Sequence, residues 1–155
     1  MEIRRAQQKD LEGIGSLLYQ VLEVHHRGRP DLFYGGVKKY TDDEVLEIFA
    51  DPLRPVFVAV EGSKVLGYAF CIFRQISSSH ILKSIKTLYL DDLCVDEAAR
   101  GKGVGTALYQ RVVDFARESG CYNLTLNVWS CNPSALAFYR KCGMTEQKIE
   151  MEKIL

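Results

Sequence analysis

The chain has 155 residues, a formal net charge of zero at pH 7 and 47% hydrophobic residues, which suits one domain over residues 1–155 with a genuine core. Balanced charge provides no global field for nucleic acid or an anionic membrane, and no stretch approaches the ~20 apolar residues of a membrane helix. The N-terminal Met-Glu-Ile-Arg-Arg lacks the apolar segment of a signal peptide, and Cys71, Cys94, Cys121, Cys131 and Cys142 form no Cys-x-x-Cys pair, so a cytoplasmic chain with reduced, packing cysteines is expected.

Glu2–Ala6 is short and half apolar, fit for a first strand. Asp10 is expected to cap a helix whose face is Leu11, Ile14, Leu17, Leu18, Val21 and His25. A polar and aromatic loop follows from His25 to Gly36, and loops of that length are uncommon without a task. Thr41-Asp-Asp-Glu44 fits a capping box for a second, short helix ended by Asp51-Pro52. Gly62-Ser63 then joins two strongly apolar runs as a hairpin.

Leu88–Val95 reads as a buried strand, and Arg100-Gly-Lys-Gly-Val-Gly105 places three alternate glycines directly before a helix marked by Val104, Leu108, Val112 and Phe115. Glycines let a ligand approach the backbone, and the unpaired N–H groups of a first helical turn attract anions. Together with Arg100 and Lys102 they form a candidate phosphate or pyrophosphate cradle. Spacing excludes a P-loop, and Thr106 stands where a dinucleotide fingerprint needs a small residue. Asn123–Trp129 alternates as a strand, Asn132 and Pro133 open a helix closed by Gly143, and Thr145–Ile154 alternates as a closing strand.

Two segments carry a family resemblance. Asp92–Leu108, with Arg100, Gly103 and Gly105 at the fixed places, resembles the acetyl-CoA motif of the GNAT superfamily of N-acetyltransferases, and Asn132–Gly143 is similar to that family's Asn-x6-Tyr-x3-Gly helix. The resemblance implies an α/β fold, a twisted mixed sheet flanked by helices on both faces, whose central strand splays from the next to admit the pantetheine arm. By that resemblance the arm lies on Leu93, Cys94 and Val95, with backbone groups of Leu93 and Val95 as its partners. The pyrophosphate lies on the amides from Arg100 through Gly101, Lys102, Gly103, Val104 and Gly105 to Thr106. Asn132 lies near the arm and Tyr139 beside the sulfur. No metal is implied.

Acetyl transfer requires an uncharged amine, and an alkyl amine of pKa near 10.4 is neutral about once in 2,500 molecules at pH 7, a penalty of roughly 4.6 kcal/mol. Tyr139 is the candidate acid or donor to the leaving sulfur, although its helical spacing also fits a packing role. Asp91 and Asp92 resemble the acidic pair of the polyamine acetyltransferases; strand alternation sends them to opposite faces, so at most one should face the amine. His25, Arg29, Phe33 and Tyr34 are the candidate acceptor wall, His25 and His26 being equally readable as loop packing. The expected activity is transfer from acetyl-CoA to a primary amine, with a small cationic amine as acceptor and a protein N-terminus or lysine as the alternative. A CoA-binding sensor without activity, or a nucleotide-binding module, are the rival classes. The chain is expected to act as monomer or homodimer without nucleic acid or membrane.

Overall fold

A computed structural model describes residues Met1–Leu155. Five strands form one sheet in the order β1 (Glu2–Arg5), β2 (Val56–Glu61), β3 (Lys64–Gln75), β4 (Lys86–Val95) and β5 (Asn123–Thr125). The first three pairings are antiparallel and the last is parallel. Helices α1 (Leu11–Gly28) and α2 (Asp42–Ala50) cover one face, while α3 (Val104–Glu118) and α4 (Pro133–Lys141) lie on the other. No helix is long and apolar enough to cross a membrane.

Alternation along β2 divides the core between those faces. Val56, Val58 and Val60 pack with Ile14, Leu17 and Leu18 of α1, whereas Phe57 and Ala59 pack with Leu108 and Val112 of α3. The capping box of α2 forms as the sequence requires: Glu44 N donates to Thr41 Oγ1 at 3.2 Å, and Thr41 N to Glu44 Oε2 at 2.7 Å. Asn132 accepts from Ala135 N at 3.2 Å with Pro133 in the first turn of α4.

Three expectations need correction. Asp10 does not cap α1; its buried carboxylate accepts two bonds from Arg4, at 2.7 and 2.8 Å, and one from Gln7 N at 2.8 Å, closing a short 3-10 turn before the helix. The strand expected over Asn123–Trp129 ends at Thr125. The expected closing strand Thr145–Ile154 is absent: this segment meets no neighbouring strand, so Ile149, Met151 and Ile154 stand 75–84% exposed. Alternation marks a surface suited to a sheet, but a ladder also needs a partner.

Strands β3 and β4 approach closely where Gly67 lies opposite Val95. A Cβ on Gly67 would lie 2.7 Å from the Cys94 carbonyl oxygen and 3.0 Å from Leu108 Cδ1. Gly67→Ala should therefore cost about 1–3 kcal/mol of stability through overpacking. Denaturant unfolding measures this, and an unchanged midpoint would contradict the close approach.

Candidate active site

Strand β4 changes face once. Phe70 lies opposite Asp92 while the next residue, Cys71, lies opposite Leu90, so Asp91 is the extra residue of a β-bulge. Before it, Leu88 and Leu90 pack toward α3; beyond it Leu93 and Val95 do so, and Cys94 faces α1. The bulge overrides strict alternation and gathers Asp91 and Asp92 on the α1–α2 side, correcting the expectation of opposite faces.

Both carboxylates meet Lys39. Its Nζ donates to the Asp91 carbonyl oxygen at 3.2 Å and to Asp91 Oδ2 at 3.0 Å, and lies 4.0 Å from Asp92 Oδ2. Tyr40 Oη donates to Asp91 Oδ2 at 2.7 Å, and the buried Tyr68 Oη donates to Asp92 Oδ2 at 3.0 Å. Burial pushes the Asp92 carboxyl up to about 6, with Asp91 adding to the rise and Lys39 and Tyr68 opposing it. Burial, reinforced by the adjacent carboxylates, also raises both phenols. Lys39, Tyr40 and Tyr68 fall outside the set singled out by sequence. An aromatic on a buried strand resembles packing, and no local pattern fixes the path of the loop that carries Lys39.

The other edge of β4 is open. Parallel pairing with β5 covers only Thr87–Tyr89, leaving Leu90–Val95 without a neighbour there. Asp96 N donates to Leu66 O on β3, and Tyr68 lies opposite Cys94. The alternation of an antiparallel ladder then directs the backbone groups of Leu93 and Val95 to the open side. Cys94 differs from its neighbours in the expected set: its backbone is turned to β3 and its thiol lies beneath α1, 3.6 Å from Leu17 O.

At the end of that edge, Gly101 and Gly103 adopt φ of +76° and +80°, a region that L side chains rarely enter. A Cβ on either would meet nothing within 4 Å. The amides of Gly101, Lys102, Gly103, Val104, Gly105 and Thr106 donate to no group of the chain, so they converge as free donors at the positive end of α3. Arg100 departs from the expected donor row. Its amide donates to Glu97 O, and its Nε donates to Val95 O at 3.3 Å, bracing the turn against the strand.

Tyr139 packs against Tyr109 and Phe138 with ring centroids 6.2 and 5.1 Å away, and its hydroxyl has no partner within the chain. Burial raises its pKa, and the charge of Asp92 adds to this, so the phenol remains protonated at neutral pH. Across the site, His25 stacks on Phe33 at 5.1 Å and Phe33 meets Trp129 edge-on at 5.1 Å. Burial lowers the His25 pKa, and the Lys39 charge lowers it further, favouring neutral imidazole. His26 ring Nδ1 is 2.7 Å from Phe33 O, a loop-packing contact. Of the four residues expected to form the acceptor wall, His25 and Phe33 come together, whereas Tyr34 is 86% exposed and Arg29 is bound to Asp31 and Glu152.

A family model described as the acetyltransferase (GNAT) family matches residues 29–144. Over 159 aligned residues the chain is 31% identical to the "probable glucosamine 6-phosphate N-acetyltransferase 2" of Oryza sativa subsp. japonica, covering 97% of this chain and 86% of that protein. A mutant of the BH1408 protein from Bacillus halodurans shares 30% identity and superposes with a TM-score of 0.96, covering 100% of this chain and 99% of that one. The aminoglycoside N-acetyltransferase AAC(6')-Iy in complex with CoA has the same fold at 17% identity, with a TM-score of 0.75 over 99% and 98% of the two chains.

An unfolded aspartate titrates near 3.9, whereas Asp92 titrates at about 6 in the fold. The folded chain thus holds this proton more tightly. The associated stability is present below about pH 4 and is lost as pH rises through about 6. Asp92→Asn removes that loss, so the difference in unfolding free energy between the two proteins should shift in favour of the variant between about pH 4 and pH 7. Denaturant titrations at both ends measure it; a constant difference would assign Asp92 an ordinary pKa.

Proposed function

The chain belongs to the GNAT family of acetyltransferases, and from that premise we propose that it transfers the acetyl group of acetyl-CoA to a primary amine on a small molecule by direct attack in a ternary complex. The observation that carries this reading is a conjunction at one end of β4. An open strand edge at Leu93 and Val95, a row of free amides from Gly101 to Thr106, and two carboxylates already gripping an alkylammonium all meet there. The CoA bound to a structural neighbour and the amino-sugar acceptor named for the rice relative agree with a thioester donor and a small amine acceptor.

The residues present suit the donor. Left-handed glycines with open space above them, and amides lacking internal partners, fit a diphosphate; Lys102 is exposed beside them. When bound, acetyl-CoA supplies a thioester carbonyl and a thiol leaving group. Leu93 and Val95 bind an extended amide-bearing arm through their main-chain groups, and Asn132, whose Oδ1 caps the helix by accepting from Ala135 N and Ser134 Oγ, fixes the helix that carries Tyr139. The Tyr139 hydroxyl serves as a neutral donor to charge developing on sulfur.

Asp91 orients the ammonium of the acceptor, and Asp92 accepts its proton. Moving that proton to a carboxyl at about 6 is easier by roughly 3 kcal/mol than moving it to one of ordinary pKa, about two units lower. From an amine of pKa near 10.4 the transfer still runs uphill by about 4.4 units, roughly 6 kcal/mol, so the raised carboxyl lessens the cost of a local proton acceptor without removing it. Once amine and carbonyl are held about 3 Å apart, orientation supplies much of the remaining acceleration. His25, Phe33 and Trp129 form the wall that limits acceptor shape.

Thiol release from acetyl-CoA in the presence of a panel of primary amines tests the activity, and CoA affinity without release would leave only a binding module. Gly103→Asp brings a carboxylate to the proposed diphosphate site and should weaken CoA binding by on the order of tenfold or more, about 1.4 kcal/mol at least. Calorimetry measures it, with unchanged affinity removing the cradle. Tyr139→Phe should lower turnover by roughly 10²-fold with little change in CoA affinity; undiminished turnover would return Tyr139 to a packing role.

A further inference from the structure

We propose that Lys39 is itself an acetyl acceptor, modified in cis by the same site, so that the chain carries a built-in lysine acetylation target. The inference rests on the transferase reading above. It begins from a contact that reading already draws on: the acidic pair assigned to the acceptor's ammonium holds one belonging to the chain.

Lys39 Nζ is bound to both the main-chain and side-chain oxygens of Asp91, at 3.2 and 3.0 Å, and lies 4.0 Å from Asp92. Asp91 is the bulge residue, and Leu93, where the open edge presents its backbone, is two residues further along the strand, about 7 Å at most. The lysine therefore presents a primary amine within one side-chain swing of the place proposed for the thioester. Its side chain is 30% exposed and comes from the loop between α1 and α2. His25, Tyr40, Asp91 and Asp92 are the titratable groups around it. A tethered amine this close has a high effective concentration.

The step balances without a further reactant. The Lys39 ammonium gives a proton to Asp92, the freed nitrogen attacks the thioester carbonyl, and the new C–N bond forms as the C–S bond breaks. The sulfur leaves as CoA thiol after protonation, and one net proton reaches solvent. The product is a neutral amide: Asp91 retains Tyr40, but the pair loses its cation.

The test incubates the full-length protein with acetyl-CoA and no added amine, followed by intact mass measurement and peptide mapping. Lys39 should gain one acetyl group on the order of 10²-fold faster than the exposed Lys83 and Lys153, at a rate unchanged on dilution of the protein. Lys39→Arg should reduce incorporation to the slow background, while Lys38→Arg, which removes a lysine paired with Asp42 on α2, should retain the fast site. Modification of Lys39 no faster than the exposed lysines, or none, overturns the proposal. The same preparations are assayed for thiol release with the amine panel. Amine acetylation without Lys39 labelling sinks this inference alone; absence of both sinks the transferase reading as well.

Discussion

One extra residue in β4 organises the whole site. Because Asp91 bulges, β4 keeps its ladder to β3 on one side while its side chains exchange faces, so the strand packs against α3 before the bulge and faces α1 beyond it with its even-numbered residues. Two residues before the bulge, β4 also loses its β5 partner after Tyr89. A central strand whose backbone donors and acceptors lack a neighbour is costly if it is sealed from water or ligand. The open edge and the paired carboxylates thus lie on the same few residues of β4, next to the turn that leads into α3.

The parts readable in the sequence depend on short-range chemistry. Thr41 and Glu44, Asn132 with Ala135, and the left-handed Gly101 and Gly103 ahead of α3 are settled within a few residues by capping bonds and steric limits. Periodicity likewise identifies the faces of α1 and α3, including Ile14, Leu17, Leu108 and Val112. What escapes depends on distant contacts. Lys39 meets Asp91 across 52 positions and Tyr68 meets Asp92 across 24, while the bulge that brings the carboxylates together leaves no mark in an alternating pattern. Asp10 shows the same limit in miniature, since the local signal for a cap is outweighed by a nearby guanidinium on β1.

The cysteines bear on the choice of chemical route. All five are free, and burial pushes the thiols of Cys71 and Cys94, those nearest the heart of the sheet, up to about 12. A thiolate is the competent nucleophile for a covalent acyl relay, and these environments oppose its formation. Direct attack by the amine asks less of the protein: it needs a proton acceptor of raised pKa, a protonated donor near sulfur, and a fixed approach. At neutral pH Asp92 is mostly ionised and Tyr139 is protonated, states suited to those separate tasks.

Asp91 and Asp92 are not equivalent members of a pair. Asp91 receives Lys39 and Tyr40 on one oxygen, a strongly neutralised environment, whereas the more buried Asp92 has Tyr68 and only a distant share of the ammonium. On the proposed transferase reading that asymmetry separates anchoring from proton acceptance: the charge already met by two donors holds a cation, and the more buried one takes its proton. It also restricts what enters, because a second ammonium about 4 Å from Lys39 would be repelled by roughly 1–4 kcal/mol, depending on how far water penetrates. An acceptor must displace Lys39 or arrive already neutral. On the proposed reading, the loop between α1 and α2 thus governs acceptor charge as well as acceptor shape, with Phe33 of the aromatic wall and the ammonium of Lys39 carried on the same segment.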